Sequence, residues 1–130
     1  MKILGPFIFM MMVYIIPSSA QVSYKFNTRA DCTMNLLEEN DDCISKAVNA
    51  SFYMPKEYKT ATLTVNNITY HYRILDTEIE QLNGYTLLTC SVMASNNQVY
   101  LMAVHLLDIS PQITIINIEN FTKTVYYFKN

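Results

Sequence analysis

The stretch NLLEENDDCISKAVNASF, residues 35–52, decides how the chain is read. At a helical period it sorts into two faces. Leu36, Leu37, Asn40, Cys43, Ile44, Ala47, Val48 and Phe52 share one stripe, and Glu38, Asp41, Asp42, Ser45 and Asn49 lie opposite. Asn35 and Glu38 stand at capping-box spacing, acids crowd the first turns where the helix dipole favours them, and Lys46 comes late. The spacing predicts an amphipathic helix.

Downstream the apolar period shortens. Alternating or continuous apolar runs predict strands near 60–66, 68–76, 85–94, 98–107, 112–118 and 122–128. In TLTVNNITYHY (62–72), Asn66 and Asn67 mark a hairpin turn, because Asn tolerates positive φ. ASNNQ (94–98) and DISPQ (108–112) mark two further breaks. Connections this short favour antiparallel neighbours. The expected fold is α+β, one amphipathic helix packed on a curved antiparallel sheet of about five or six strands. The alternative is an all-β immunoglobulin-like sandwich with Cys43 and Cys90 as its inter-sheet pair. Against it, the chain has no Trp and no Tyr two residues before Cys90, and it reads as helix around Cys43.

Upstream, Lys2 precedes the apolar run ILGPFIFMMMVYII (3–16), then Pro17 and the small residues Ser18 and Ala20. This is the layout of a secretory signal peptide spanning 1–20, cut between Ala20 and Gln21. A spanning helix needs about 20 apolar residues, and Gly5 and Pro6 interrupt this shorter run. Residues 21–130 are therefore expected to form one secreted, extracellular domain without a membrane span. Without Lys2, eight basic residues face eleven acidic ones, a net charge of −3 with His neutral. No basic run is present, so nucleic-acid binding has no electrostatic footprint.

Export gives meaning to three sequons, Asn49-Ala50-Ser51, Asn67-Ile68-Thr69 and Asn120-Phe121-Thr122. Asn67 and Asn120 fall at expected turns and Asn49 on the wet face of the expected helix, so all three are expected to carry glycans. Three cysteines permit at most one intrachain bridge. A helix crossing the sheet brings Cys43 to Cys90, in the apolar run YTLLTCSVMA, and this is the preferred pair. Cys32–Cys90 and Cys32–Cys43 stay open, and Cys32 is expected free or bridging two chains.

Motifs for chemistry are scarce. His71 and His105 have no Cys or carboxylate at ligand spacing, so no zinc site is expected. His71 alternates with Thr69 and Arg73 and reads as solvated; His105, inside VYLMAVHLLDI, reads as structural. No G-x-S-x-G motif occurs, and Gly84 is the single glycine after the signal, which excludes phosphate and dinucleotide loops. Glu38, Glu39, Asp41 and Asp42 lack EF-hand spacing. No catalytic residue, metal or cofactor is assigned. The helix-plus-sheet layout resembles cystatin-type inhibitors. However, NNQVYLM and QLNGYTL both depart from that family's Q-x-V-x-G hairpin, so no site residues carry over.

These features lead to a secreted glycoprotein that acts as a non-catalytic binding module for an extracellular or cell-surface protein, as an effector, inhibitor or ligand. The alternatives are a small carrier with a hydrophobic ligand between helix and sheet, and an enzyme without a recognisable motif. Candidate contact residues are Tyr126, Tyr127 and Phe128, with Tyr70 and Tyr72 on the hairpin, because exposed aromatics dominate interface energetics. Protein secreted from eukaryotic cells should begin at Gln21 on amino-terminal sequencing. Glycosidase should shift its gel mobility, and Asn67→Gln should remove one step of that shift. A start at Met1 with membrane retention would contradict the export reading.

Overall fold

The computed structural model describes residues 21–34, 42–106 and 110–130, and these residues are all-β. Eight strands run up and down: β1 (Val22–Thr33), β2 (Asp42–Met54), β3 (Thr60–Val65), β4 (Ile68–Leu82), β5 (Tyr85–Ala94), β6 (Val99–Leu106), β7 (Gln112–Asn117) and β8 (Thr122–Tyr127). Each pairs antiparallel with the next, and β8 returns to β1 over Thr28↔Tyr127 to Thr33↔Thr122, closing a barrel. Closure gives every strand two partners, while residues 42–48 of β2 and 76–82 of β4 extend past the closed part and pair on one side only.

The α+β expectation is overturned. Asp42–Met54 is a strand, and the rest of the expected helix, 35–41, lies outside the described residues. The second half of β2 shows why. Ala50, Phe52 and Met54 are buried while Asn49, Ser51 and Tyr53 are exposed, a period of two. Ile44, Val48, Phe52 and Tyr53 also belong to the β-branched and aromatic types that pack well on a pleated surface. The sandwich alternative fails as well, since there is one closed sheet. The six expected strands are present as β3–β8, with β4 continuing to Leu82; β1 and β2 are the two that local pattern did not give.

The Cys43–Cys90 pairing is likewise corrected. Cys32 and Cys43 stand directly opposite in the β1–β2 ladder, 4.0 Å apart at Cα, and form the disulfide. Cys90 sits on β5, in the buried core, as a free thiol near the Thr77 hydroxyl (3.7 Å). Burial pushes that thiol's pKa up, and the Thr77 hydrogen bond only partly offsets it. The β1–β2 register alone brings Cys32 to Cys43, with no helix needed to carry one cysteine to another.

The turns follow the chemistry of their residues. Asn66 and Asn67 both take positive φ (49° and 71°), as a two-residue hairpin turn of type I′ demands. Gly84 takes φ 88° at the tip between β4 and β5. Inside the barrel, Phe52, Met54, Leu63, Leu88, Val92, Met102, Val104 and Ile113 are fully buried and form the core. Residues near Phe26 and Thr28 break the β1–β2 register: β1 advances by two positions while β2 advances by three, from Ala50 to Ala47. Such bulges re-aim side chains.

Two measurements check this architecture. Peptide mapping without reduction should yield a linked Cys32–Cys43 peptide and an unlinked Cys90. Replacing both Cys32 and Cys43 by Ser should lower unfolding stability by roughly 2–3 kcal/mol, given the short loop they close. Met102→Ala, at the barrel centre, should cost about 2–5 kcal/mol in the same denaturation assay.

Candidate functional site

Alternating strand direction places the β1–β2, β3–β4, β5–β6 and β7–β8 connections at one end of the barrel. At that end the interior is not filled. A cavity of about 410 Å³ opens there, within the size range of small-molecule sites. It is lined by Leu63 on β3, Ile115 on β7 and the rings of Tyr70, Tyr72, Tyr100 and Tyr126. Arg29 and Thr124 supply a polar wall, and His71, Ala94, Ser95 and Asn96 form the lip. The carrier alternative placed such a space between helix and sheet; it lies inside the barrel instead.

Arg29 reaches the cavity because of the β1–β2 bulge. Phe26 packs on Tyr126 at 6.4 Å between centroids, and three residues later the Arg29 guanidinium also lies over the Tyr126 ring, 5.6 Å from its centroid. A strictly alternating strand would send one of the two outward. Asp31 fixes the guanidinium from the side, accepting from Arg29 Nε at 2.9 Å and from the Thr124 hydroxyl at 3.2 Å. Both partners are partly solvated, so this pair orients the side chain more than it stabilises the fold.

The phenols are held in place by one another. Tyr72 and Tyr100 meet edge to face, at 6.5 Å and 89°, and the Tyr100 hydroxyl donates to Gln98 Oε1 at 3.0 Å. Burial, reinforced by the neighbouring phenols of Tyr126, Tyr100 and Tyr70, pushes the Tyr72 pKa up to about 12. Burial raises that of Tyr126 too, while Arg29 pulls it back. At neutral pH these hydroxyls are neutral groups able both to donate and to accept.

The five candidate contact residues are thus separated. Tyr126, 3% exposed, is an interior residue and not a solvent-facing anchor. Tyr72 is half-buried in the cavity and Tyr70 stands exposed in its mouth. Tyr127 and Phe128 do not line it; Tyr127 is half-buried and Phe128 is 52% exposed. Of the histidines, His71 is exposed at the lip, and His105 stacks on Tyr85 at 5.7 Å with its pKa lowered by burial. Among the described residues, no group of three or more His, Cys, Asp or Glu is placed to hold a metal.

The sequon asparagines gather at the same end. Asn67 and Asn120 occupy the β3–β4 and β7–β8 turns, and Asn49 is tied to the first of these by Asn66 N to Asn49 O (2.8 Å) and Asn49 N to Asn66 Oδ1 (3.1 Å). All three are exposed. Between them, Ile68, Val99, Ile118 and Phe121 are exposed in or beside the same connections, an apolar rim around the mouth.

Sequence reasoning missed Arg29, Asp31, Tyr100 and Thr124. Arg29 and Asp31 stand two apart, the spacing of one strand face, which would have linked them had 22–33 been read as a strand. No family model matches the chain, and no curated protein or solved structure matches it, so the site is read from its own geometry.

A pH titration tests the buried phenols. The folded pKa of Tyr72 lies above the ordinary tyrosine value of 10.0, so the folded state holds the proton longer than the unfolded state. Its stabilisation is fully present below pH 10 and is lost as pH rises from 10 through about 12. Denaturation at stepped pH should show that decline, and Tyr72→Phe should flatten it.

Proposed function

We propose that this protein is a secreted, non-catalytic binding protein that holds a small molecule in the barrel mouth. One observation carries the reading: a cavity of about 410 Å³ is open at one end of a barrel whose middle holds fully buried side chains. An eight-stranded barrel is just wide enough for side chains to fill it, or for one small ligand to sit within it. Here four tyrosine rings line the space together with Leu63 and Ile115. That arrangement combines apolar surface with a few convergent polar groups, the usual composition of a ligand site. The Cys32–Cys43 disulfide is compatible with an extracellular location.

A protein partner is the second reading, favoured by the exposed ring of Phe128 at the end of β8. Native mass spectrometry separates the two. Protein secreted from eukaryotic cells should carry one small-molecule adduct per chain. Ala94→Trp, which places a large ring at the lip, should weaken its retention more than tenfold while leaving the fold intact. Retention unchanged by Ala94→Trp places the ligand outside the cavity. A captured protein lost on Phe128→Ala but kept by Ala94→Trp supports the second reading.

A further inference from the structure

The barrel mouth differs from the rest of this molecule in its charge. The chain holds eleven carboxylate residues against nine basic ones, yet among the described residues no carboxylate lines the cavity, and Arg29 does. We propose that the mouth selects an anionic, ring-bearing small molecule, with its charged group on Arg29 and its flat body between the tyrosines. This rests on the cavity being the binding site.

Arg29 is oriented for such a contact before any ligand arrives. Among the described residues its hydrogen bond runs through Nε to Asp31, which leaves the terminal N–H groups of the fork for a second acceptor. A guanidinium presents its donors in a plane that matches carboxylate, sulfonate or phosphate oxygens. The Asp31 carboxylate is already shared between Arg29 and the Thr124 hydroxyl. It therefore steers the guanidinium without itself lining the cavity.

A second cation stands beside the first. Lys46 on β2 is the direct register partner of Arg29, so the two share a sheet face. Lys46 is exposed and does not itself line the cavity; like charges directly opposite destabilise a ladder, and an anion on Arg29 adds to the compensation that Asp31 already supplies. On the same face Asp31 is opposite Ile44, and Asp42 lies at the far end of the ribbon, about 13 Å along the strand from Lys46.

The body of the ligand is set by the walls. Tyr72 and Tyr100 stand edge to face, and Tyr126 lies beneath the guanidinium. Ring edges and faces in this arrangement favour a flat aromatic partner. The Tyr72 and Tyr126 hydroxyls, kept protonated by burial, add donors and no competing negative charge.

Two fluorescent probes with the same ring skeleton test the proposal: anilinonaphthalenesulfonate, which carries a sulfonate, and N-phenylnaphthylamine, which does not. The sulfonate should bind one per chain, about tenfold tighter than the amine, the size of one charge-assisted contact. Arg29→Gln should bring the two affinities together by weakening the sulfonate alone, and Arg29→Lys should keep part of the preference. Native tyrosine circular dichroism checks that each variant is folded. Should Arg29→Gln fail to fold, the wild type supplies the same reading: raising salt should weaken the sulfonate and leave the amine unchanged. Equal wild-type affinities, or a preference that survives both Arg29→Gln and salt, overturns the anionic assignment while cavity binding stands. Binding of neither probe overturns cavity binding itself.

Discussion

The pairing of β8 with β1 is the interaction on which the rest of the molecule depends. Six residue pairs, Thr28↔Tyr127 to Thr33↔Thr122, join segments roughly ninety positions apart in the chain. Without that ladder the eight strands form an open sheet with two unpaired edges, a form prone to pairing with other chains. With it, one face of every strand turns inward and the interior becomes a closed volume. The loop entropy opposing such a distant contact is offset only when the whole cylinder packs at once.

Closure also assembles the candidate site. Arg29 meets Tyr126 because their strands are neighbours, and Asp31 meets Thr124 for the same reason. The bulge near Phe26 then decides which β1 side chains enter. Phe26 contributes to the packed core and Arg29 to the open mouth, so one irregularity of register separates a structural half of the strand from a polar half. Large rings line the cavity, and two of them, Tyr72 and Tyr100, brace each other edge to face.

The three sequons and the apolar rim share the mouth end with the cavity. If glycans occupy Asn49, Asn67 and Asn120, they crown the opening with hydrophilic bulk. That arrangement favours passage of a small molecule over close docking of a large surface at this end, and it shields Ile68, Ile118 and Phe121 from non-specific contact.

Alternation and turn chemistry alone determined β3 to β8, including the Asn66–Asn67 turn, because each of those strands has a local neighbour joined by a short connection. The first half of β2 carried no such signal. From Asp42 to Ala47 every residue is exposed, so neither face is selected to be apolar, and the apolar residues present fit a helical stripe as well as a strand. Its second half alternates, but too briefly to outweigh that stripe. The same limit hid β1, whose polar NTRAD segment faces a half-open cavity and a disulfide, not a dry core. Which cysteine met Cys43, whether Tyr126 faced water or the interior, and where Arg29 pointed were decided only by tertiary structure. Each depends on which strand lies beside which around a closed cylinder, and on a bulge that shifts the inward face by one residue. Local sequence periodicity contains neither.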